Sequence, residues 1–301
     1  MIRQSKVSLS ILFILFLVAL FAPSLESLLE QDYHTQNLTI RFAKPVSTTF
    51  LENGNKATHW LGTDELGRDV LIRLIYGARV SLAIALTATF ISGLLGLIVG
   101  VISGYCGGWI DALLMRITDS LLAIPLIPVL IFVAALDFSK FPMFFGITSP
   151  TFFGFAKVII ILCLFSWMSV ARLIRTMVLN LKKREYIMAA RALGATPVRI
   201  ILQHILPQIA TPLFVSLSIG VGEAILFESA LSFLGMGIQP PSPSWGSMLS
   251  NAQELVYHAP LLAIAPGLLI LVTVISFNSL AASLRDFWNP HQGLNEIKSK
   301  H

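Results

Sequence analysis

The sequence predicts an all-α fold, a polytopic membrane protein with six transmembrane helices, and three observations carry that expectation. The 301 residues are 55% hydrophobic and 12% charged, with a mean hydropathy of +0.78, more apolar surface than one soluble core can hide. Six predominantly apolar runs approach or reach the ~20 residues that a helix needs to cross a bilayer. The basic residues are concentrated in alternate connecting segments, as an oriented membrane protein requires.

The first run, residues 7–25, follows Arg3 and Lys6. It has the outline of a signal peptide but no clean small-x-small cleavage site, so residues 1–25 read as an uncleaved transmembrane anchor. The other runs are 80–104, about 117–136, 157–171 with some extension at either end, 213–234 and 261–284. In the second, Gly93, Gly96 and Gly100 recur at spacings of three and four, which suits close packing against a neighbouring helix. Glycine is also simply common in membrane helices. With the N-terminus in the cytoplasm, 13 of the 21 Lys and Arg residues fall in cytoplasmic segments, whereas the segment 235–260 carries none and reads as external. Both termini are then cytoplasmic, and 286–301 is a cytoplasmic tail.

The extracytoplasmic segment 26–79 ends in an acidic cluster, Asp64, Glu65 and Asp69. A metal site is the sharper reading and an interfacial helix the better one. Thr63 or Asp64 would cap it, acids would occupy its first turn, and Leu66, Val70, Leu74 and Ile75 would form an apolar face. The external loop 235–260, with Pro240, Pro241, Pro243 and Trp245, reads as a rigid bend and a short helix at the membrane surface.

Between the fourth and fifth spans lies a polar stretch, 172–210, too long for a tight turn. It divides into two short helices. Residues 183–193 are rich in helix formers, and Gly194 stands where a left-handed cap belongs. Thr196 can cap the next helix with Pro197 in its first position. There Val198, Ile201, Leu202 and Ile205 share a face, and Pro207 is expected to end the helix. A basic amphipathic helix on anionic lipid is one use of this shape. The small residues Ala189, Ala190, Ala192 and Gly194 favour the other, close docking against a protein partner.

Glu223 and Glu228 lie inside the fifth span. A carboxylate costs a few kcal/mol at the bilayer centre unless it faces a cavity or a partner, so both are candidates for a solute pathway. Five residues apart, they stand roughly 140° apart around the helix and need not share a face. The alternative is a carboxylate paired with a neighbouring helix or neutralised by protonation.

The stretch R-E-Y-I-M-A-A-R-A-L-G-A-T-P-V-R-I-I-L-Q-H-I-L-P resembles the E-A-A loop of binding-protein-dependent ABC importer permeases: E-A-A, three residues, G, nine residues, I-x-L-P. Aligned on Gly194, the small pair falls on Ala189 and Ala190 and the ending on Leu206 and Pro207. Met188 stands where the pattern has Glu, and His204 where it has Ile. Glu185 offers a carboxylate about one turn earlier. Further similarity to C-type permeases of dipeptide, oligopeptide and nickel importers lies in L-G-T-D-E-L-G-R-D-V-L-I-R-L-I-Y-G-A-R-V-S-L from Leu61, A-R-L-I-R from Ala171, E-S-A-L-S-F-L-G from Glu228 and Q-P-P-S-P-S-W-G-S-M-L from Gln239. The ending F-N-S-L-A-A-S-L-R-D-F-W-N-P has Ala281 and Ala282 where the family usually has Gly-Asp. Residues 1–60 carry none of this similarity.

The resemblance implies a type I ABC importer permease that forms half of a translocation pathway for short peptides, with a nickel-complex permease as the alternative. It implies a heterodimer with a second permease, two cytoplasmic ABC ATPases and an extracytoplasmic binding protein, in a bacterial inner membrane. ATPase coupling would fall on Glu185, Tyr186, Met188, Ala189, Ala190, Arg191, Gly194, Ala195, Pro197, His204 and Pro207.

Independently, the chain has no G-x-x-x-x-G-K-[ST] phosphate loop. ATP and magnesium are therefore expected on partner subunits, and no cofactor or metal on this chain. A stand-alone secondary transporter would keep the six spans but predicts buried ionisable relays or internal repeats. An intramembrane enzyme would need a nucleophile with its base or a metal pair, and His-Glu-x-x-His is absent. Cys106 and Cys163 form no Cys-x-x-Cys pair. No basic stripe with interleaved aromatics points to nucleic acid.

Overall fold

Apolar helices that run past the thickness of a bilayer organise the chain. The computed structural model describes residues 2–50, 56–136, 150–250, 256–257 and 259–288. Helix α1 (Ile2–Leu20) bends by 66° into α2 (Ala22–Leu29). A two-stranded antiparallel hairpin follows, β1 (Ser47–Phe50) on β2 (Lys56–His59), with Ser47 opposite His59. Then come α3 (Val70–Cys106), α4 (Gly108–Leu122), α5 (Leu126–Ala135), α6 (Pro150–Leu181) and α7 (Glu185–Ala192). Helix α8 (Pro197–Ile200) continues through a π-helical turn, Ile201–Ile205, into α9 (Leu206–Phe233). A 3-10 turn at Ser247–Leu249 precedes α10 (Pro260–Trp288).

Four helices are long and apolar enough to cross a membrane: Val70–Cys106, Phe152–Leu181, Pro197–Phe233 and Pro260–Asp286. The bent pairs α1–α2 and α4–α5 raise the number to six if each is one span. The six-run reading therefore stands, but several boundaries change. The run 117–136 is two helices at 84°, because Pro125 adopts an extended conformation that starts α5 afresh. The expected interfacial helix and the second span are one helix of 37 residues, about 55 Å long at 1.5 Å per residue. Its cap is Asp69, whose carboxylate accepts from the Ile72 N–H at 3.0 Å. Helix α6 runs on to Leu181, so Arg172 and Arg175 are helical and the polar connection is shorter than 172–210. The tail beyond residue 288, with Lys298 and Lys300, lies outside the described residues, as do 251–255 and 258 of the external loop.

The central seam joins α3 to α6. A Cβ added at Gly96 would come within 2.6 Å of the Trp167 carbonyl oxygen, one at Gly100 within 2.6 Å of the Ala171 oxygen, and one at Gly104 within 2.8 Å of Val178 Cβ. The small-residue ridge thus extends a turn past Gly100, and Gly93 serves a different neighbour, Leu217 of α9. Bare glycine backbone lets the two helix axes approach where apolar collapse alone gives lipid-immersed helices little reason to associate.

At the N-terminal end of α3 a cap closes over the bundle. Its L-G-T-D-E-L-G-R-D segment turns at Gly62 (φ +78°) and Gly67 (φ +74°), where an added Cβ would strike the Ala43 and Asn37 carbonyls. Asp64 is not a helix cap. It accepts from the N–H groups of Leu66 and Arg68, both at 2.9 Å, and from Arg68 Nε at 2.7 Å. Arg73 lies 3.4 Å from the same carboxylate, and Asp69 holds the buried His59 ring at 2.9 Å. Asp64 and Asp69 are taken up by these contacts, and no cluster that could hold a metal occurs among the described residues. Trp245 is not at a surface: it is fully buried, and its Nε1–H donates to the Leu74 carbonyl at 3.1 Å.

The seam predicts that Gly100→Val destabilises the fold by about 1–3 kcal/mol through overpacking. Gly154→Val, where nothing lies within 4 Å of an added Cβ, serves as the control. Thermal unfolding of the two variants in detergent should separate them clearly.

Candidate functional site

Two features carry the chemistry: an exposed elbow at the C-terminal end of α6, and a face of α9 that lines two cavities. The elbow is built locally. The Gly194 N–H donates to the Arg191 carbonyl and the Ala195 N–H to the Ala190 carbonyl, both at 3.0 Å, which closes the last turn of α7 in a Schellman motif with Gly194 at φ +86°. Thr196 then caps α8 by accepting from the Arg199 N–H at 3.4 Å, with Pro197 in the first position. The cap, the left-handed glycine and the proline all fall where the sequence places them. The first helix is shorter than 183–193, spanning Glu185–Ala192.

Pro207 does not end the second helix. The switch to a π-helical ladder over Ile201–Ile205 comes just before it, and the chain continues as helix to Phe233. A proline in the first turn of the renewed α-ladder forgoes an N–H that needs no partner there. The buried face also differs from the expected one. Ile200, Ile205 and Ile209 pack with Ile187 against Ile174 and Val178 of α6, whereas Val198 and Leu202 are exposed. The extra residue in the π turn shifts the phase that a uniform 3.6-residue repeat assumes.

Anchored from within, the elbow presents the opposite surface outward. Leu193 at its tip is 89% exposed, and Tyr186, Met188 and Val198 are exposed beside it. Glu185, Ala189, Arg191 and Pro197 are exposed too, while Ala190, Ala195 and His204 are half-buried. The Gln208 side chain donates to the Tyr186 hydroxyl at 2.7 Å, and the Arg191 guanidinium lies 5.8 Å from the Tyr105 ring centre. Exposed apolar groups among Lys183, Arg184, Arg191 and Arg199 form a rimmed patch of the kind that marks an interaction surface.

The elbow is also locked to the bundle by charges that sequence reading passed over. Arg175 grips Asp111 of α4 at 2.5 and 2.6 Å, and Ser103 donates to the same carboxylate. Arg172 reaches Asp119 at 2.5 Å, and Lys182 donates to the Gly104 carbonyl at 2.8 Å. The available signal was the A-R-L-I-R repeat of cations at a spacing of three, matched by two acids eight residues apart, Asp111 and Asp119.

The two carboxylates of α9 have different surroundings. Glu228 is fully buried and accepts from Ser81 of α3 at 3.1 Å and Ser232 at 2.8 Å. Ser81 in turn accepts from the Trp245 N–H at 3.2 Å. The carboxylate thereby ties α3, α9 and the 235–250 segment together. Glu223 is exposed and borders a cavity of about 320 Å3 where the α4–α5 bend meets α6 and α9. A second cavity, about 560 Å3, lies nearer the elbow and is lined by Gln208, Thr211, Pro212, Val215, Ser216 and Ile219 of α9 with Leu173 and Arg285.

A bundle of long apolar helices, a rigid exposed elbow and cavities along one helix define a membrane transport subunit of the type I ABC importer permease class. Residues 96–290 match the family described as binding-protein-dependent transport system inner membrane component, and the chain belongs to that family. It is 37% identical to the dipeptide transport system permease protein DppC of Alkalihalophilus pseudofirmus, over 96% of this chain and 86% of that protein. It is 40% identical to the glutathione transport system permease protein GsiD of Escherichia coli, over 80% of this chain and 75% of that one. The fold is also that of a chain of the MetNI methionine ABC transporter solved in inward-facing conformations, at 19% identity and a TM-score of 0.53, covering 70% of this chain and 96% of that chain.

The left-handed turn at Gly194 has open space around it, so substitution there acts through the backbone. Gly194→Val should cost about 1–2 kcal/mol and Gly194→Asn less. Protease sensitivity of the 185–200 segment should rise in the first variant and stay near the native level in the second.

Proposed function

We propose that this chain is one of two permease subunits of an ATP-driven importer of short peptides. The observation that carries this reading is the elbow: an exposed apolar tip held on a buried isoleucine core, at the start of the helix that lines both cavities. A force applied at Leu193 passes through α8 and the π turn into α9 with no flexible linker between. In this reading two ABC ATPases supply that force, binding ATP and magnesium that this chain does not bind itself. The exposed side chains of Glu185, Tyr186, Met188 and Arg191 meet the ATPase, and Gly194, Pro197 and Pro207 set the angle at which they do so.

The elbow then lies in the cytoplasm, both termini lie on the same side, and the cap faces the extracytoplasmic binding protein that delivers the solute. The distribution of Lys and Arg supports that orientation. The α9 face from Gln208 to Glu223 borders the solute pathway, the second permease completes the other half, and transport proceeds by alternating access. Peptides are favoured as solute because one relative is named for dipeptide transport and another for glutathione transport. Glu228 contributes to this pathway as the anchor of the cap rather than as a contact for solute.

A charge at the tip tests the coupling role. Leu193→Asp should leave membrane insertion and pairing with the second permease intact, remove the ATPases on co-purification, and lower dipeptide uptake by roughly tenfold or more, as loss of a central interface residue does. Retention of both ATPases and of normal uptake would sink the proposal.

A further inference from the structure

Glu223 is an anomaly in its helix. It sits ten residues before the end of a 37-residue apolar segment, its side chain is exposed, and it makes no hydrogen bond or ion pair among the described residues. Glu228, one turn and a half away, is fully buried with serine hydroxyls on both oxygens. An unpartnered carboxylate of this kind cannot face lipid, where its burial costs several kcal/mol. It must face water, a neighbouring cation or a ligand.

Its position selects among these. Gln208, Thr211, Val215 and Ile219 line the elbow-side cavity, and Glu223 follows at the same spacing of three and four residues, so all five share one face of α9. Glu223 is therefore the outer end of the stripe along which the first cavity opens. The space beside it, about 320 Å3, is large enough for a small ligand. Phe165 and Phe227 stand in its walls with the hydroxyl-bearing Ser166 and Ser169, and among the described residues no Lys or Arg lines it. Aromatic walls around one carboxylate make a place for a desolvated cation.

We propose that this cavity is a cation subsite in which Glu223 receives the protonated α-amino group of a peptide as it passes along α9. The inference rests on the peptide-importer reading above and adds the group of the solute that is recognised and the residue that recognises it. The carboxylate exchanges water for a primary ammonium, a charge-assisted pair that holds the amino end while the remainder of the peptide faces the apolar stripe. Arg285 of α10, at the other cavity, has the opposite charge but makes no ion pair with Glu223.

The test uses the complete importer, reconstituted in vesicles with its binding protein, and follows uptake of labelled dialanine. Glu223→Gln, which keeps shape and removes charge, should lower uptake roughly tenfold, the loss expected for a charge-assisted hydrogen bond, with both ATPases and the second permease still bound. Glu223→Asp should recover most of that loss. Uptake by the Gln variant within about twofold of wild type overturns the subsite. Recovery of that variant without the second permease also overturns it, because the carboxylate then pairs with a cation of the neighbouring subunit. Absence of dialanine uptake by the wild-type importer is a different result: it overturns the peptide reading, and the subsite with it.

Discussion

The close approach of α3 and α6 through Gly96, Gly100 and Gly104 is the contact on which the remainder of the molecule depends. It fixes Ile174 and Val178, on which the elbow isoleucines are seated. It brings Arg175 within reach of Asp111 and Lys182 within reach of the Gly104 carbonyl. In lipid, apolar burial gives little reason for helices to associate, so van der Waals contact and satisfied polar groups must decide which faces meet. The glycine ridge supplies the first and the charge pairs at its end the second.

At the other end of α3 the same helix becomes part of a polar cap. Its first ten residues stand among Asp64, Arg68, Asp69 and Trp245 rather than in an apolar phase. Because α3 is about 55 Å long against a hydrocarbon core of ~30 Å, one rigid element joins the cap to the elbow region. Glu228, buried beneath the cap with its serine donors, binds this rod to α9. The two long helices are therefore coupled beneath the cap.

Local chemistry was legible in the sequence, and what depended on neighbours was not. Gly194, Thr196 and Pro197 announced the elbow because a left-handed turn, a cap and a first-turn proline are decided by three adjacent residues. The candidate spans followed from apolar length alone, four of them single helices and two of them bent pairs. Span ends were misjudged wherever a helix outran the apolar run, as at Val70 and Leu181, since a polar residue may lie inside a helix when a partner elsewhere satisfies it. Pro207 looked like a stop because a uniform ladder was assumed, and Pro125 looked harmless inside an unbroken apolar run. The paired strands 47–50 and 56–59 gave no periodic signal, each being only four residues long. The acids at 64 and 69 resembled a first turn because their arginine and histidine partners are decided by the fold and not by neighbouring residues.

The π turn between α8 and α9 has a consequence for how such a chain can vary. Because helix is unbroken from Pro197 to Phe233, each residue inserted or lost between Ile205 and Gln208 would rotate everything beyond it by about 100° wherever the α-ladder is kept. The Gln208–Glu223 face would then turn away from the cavities while the elbow stayed seated. Length in this stretch is thus under tighter restraint than composition, and side chains can diverge there where indels cannot.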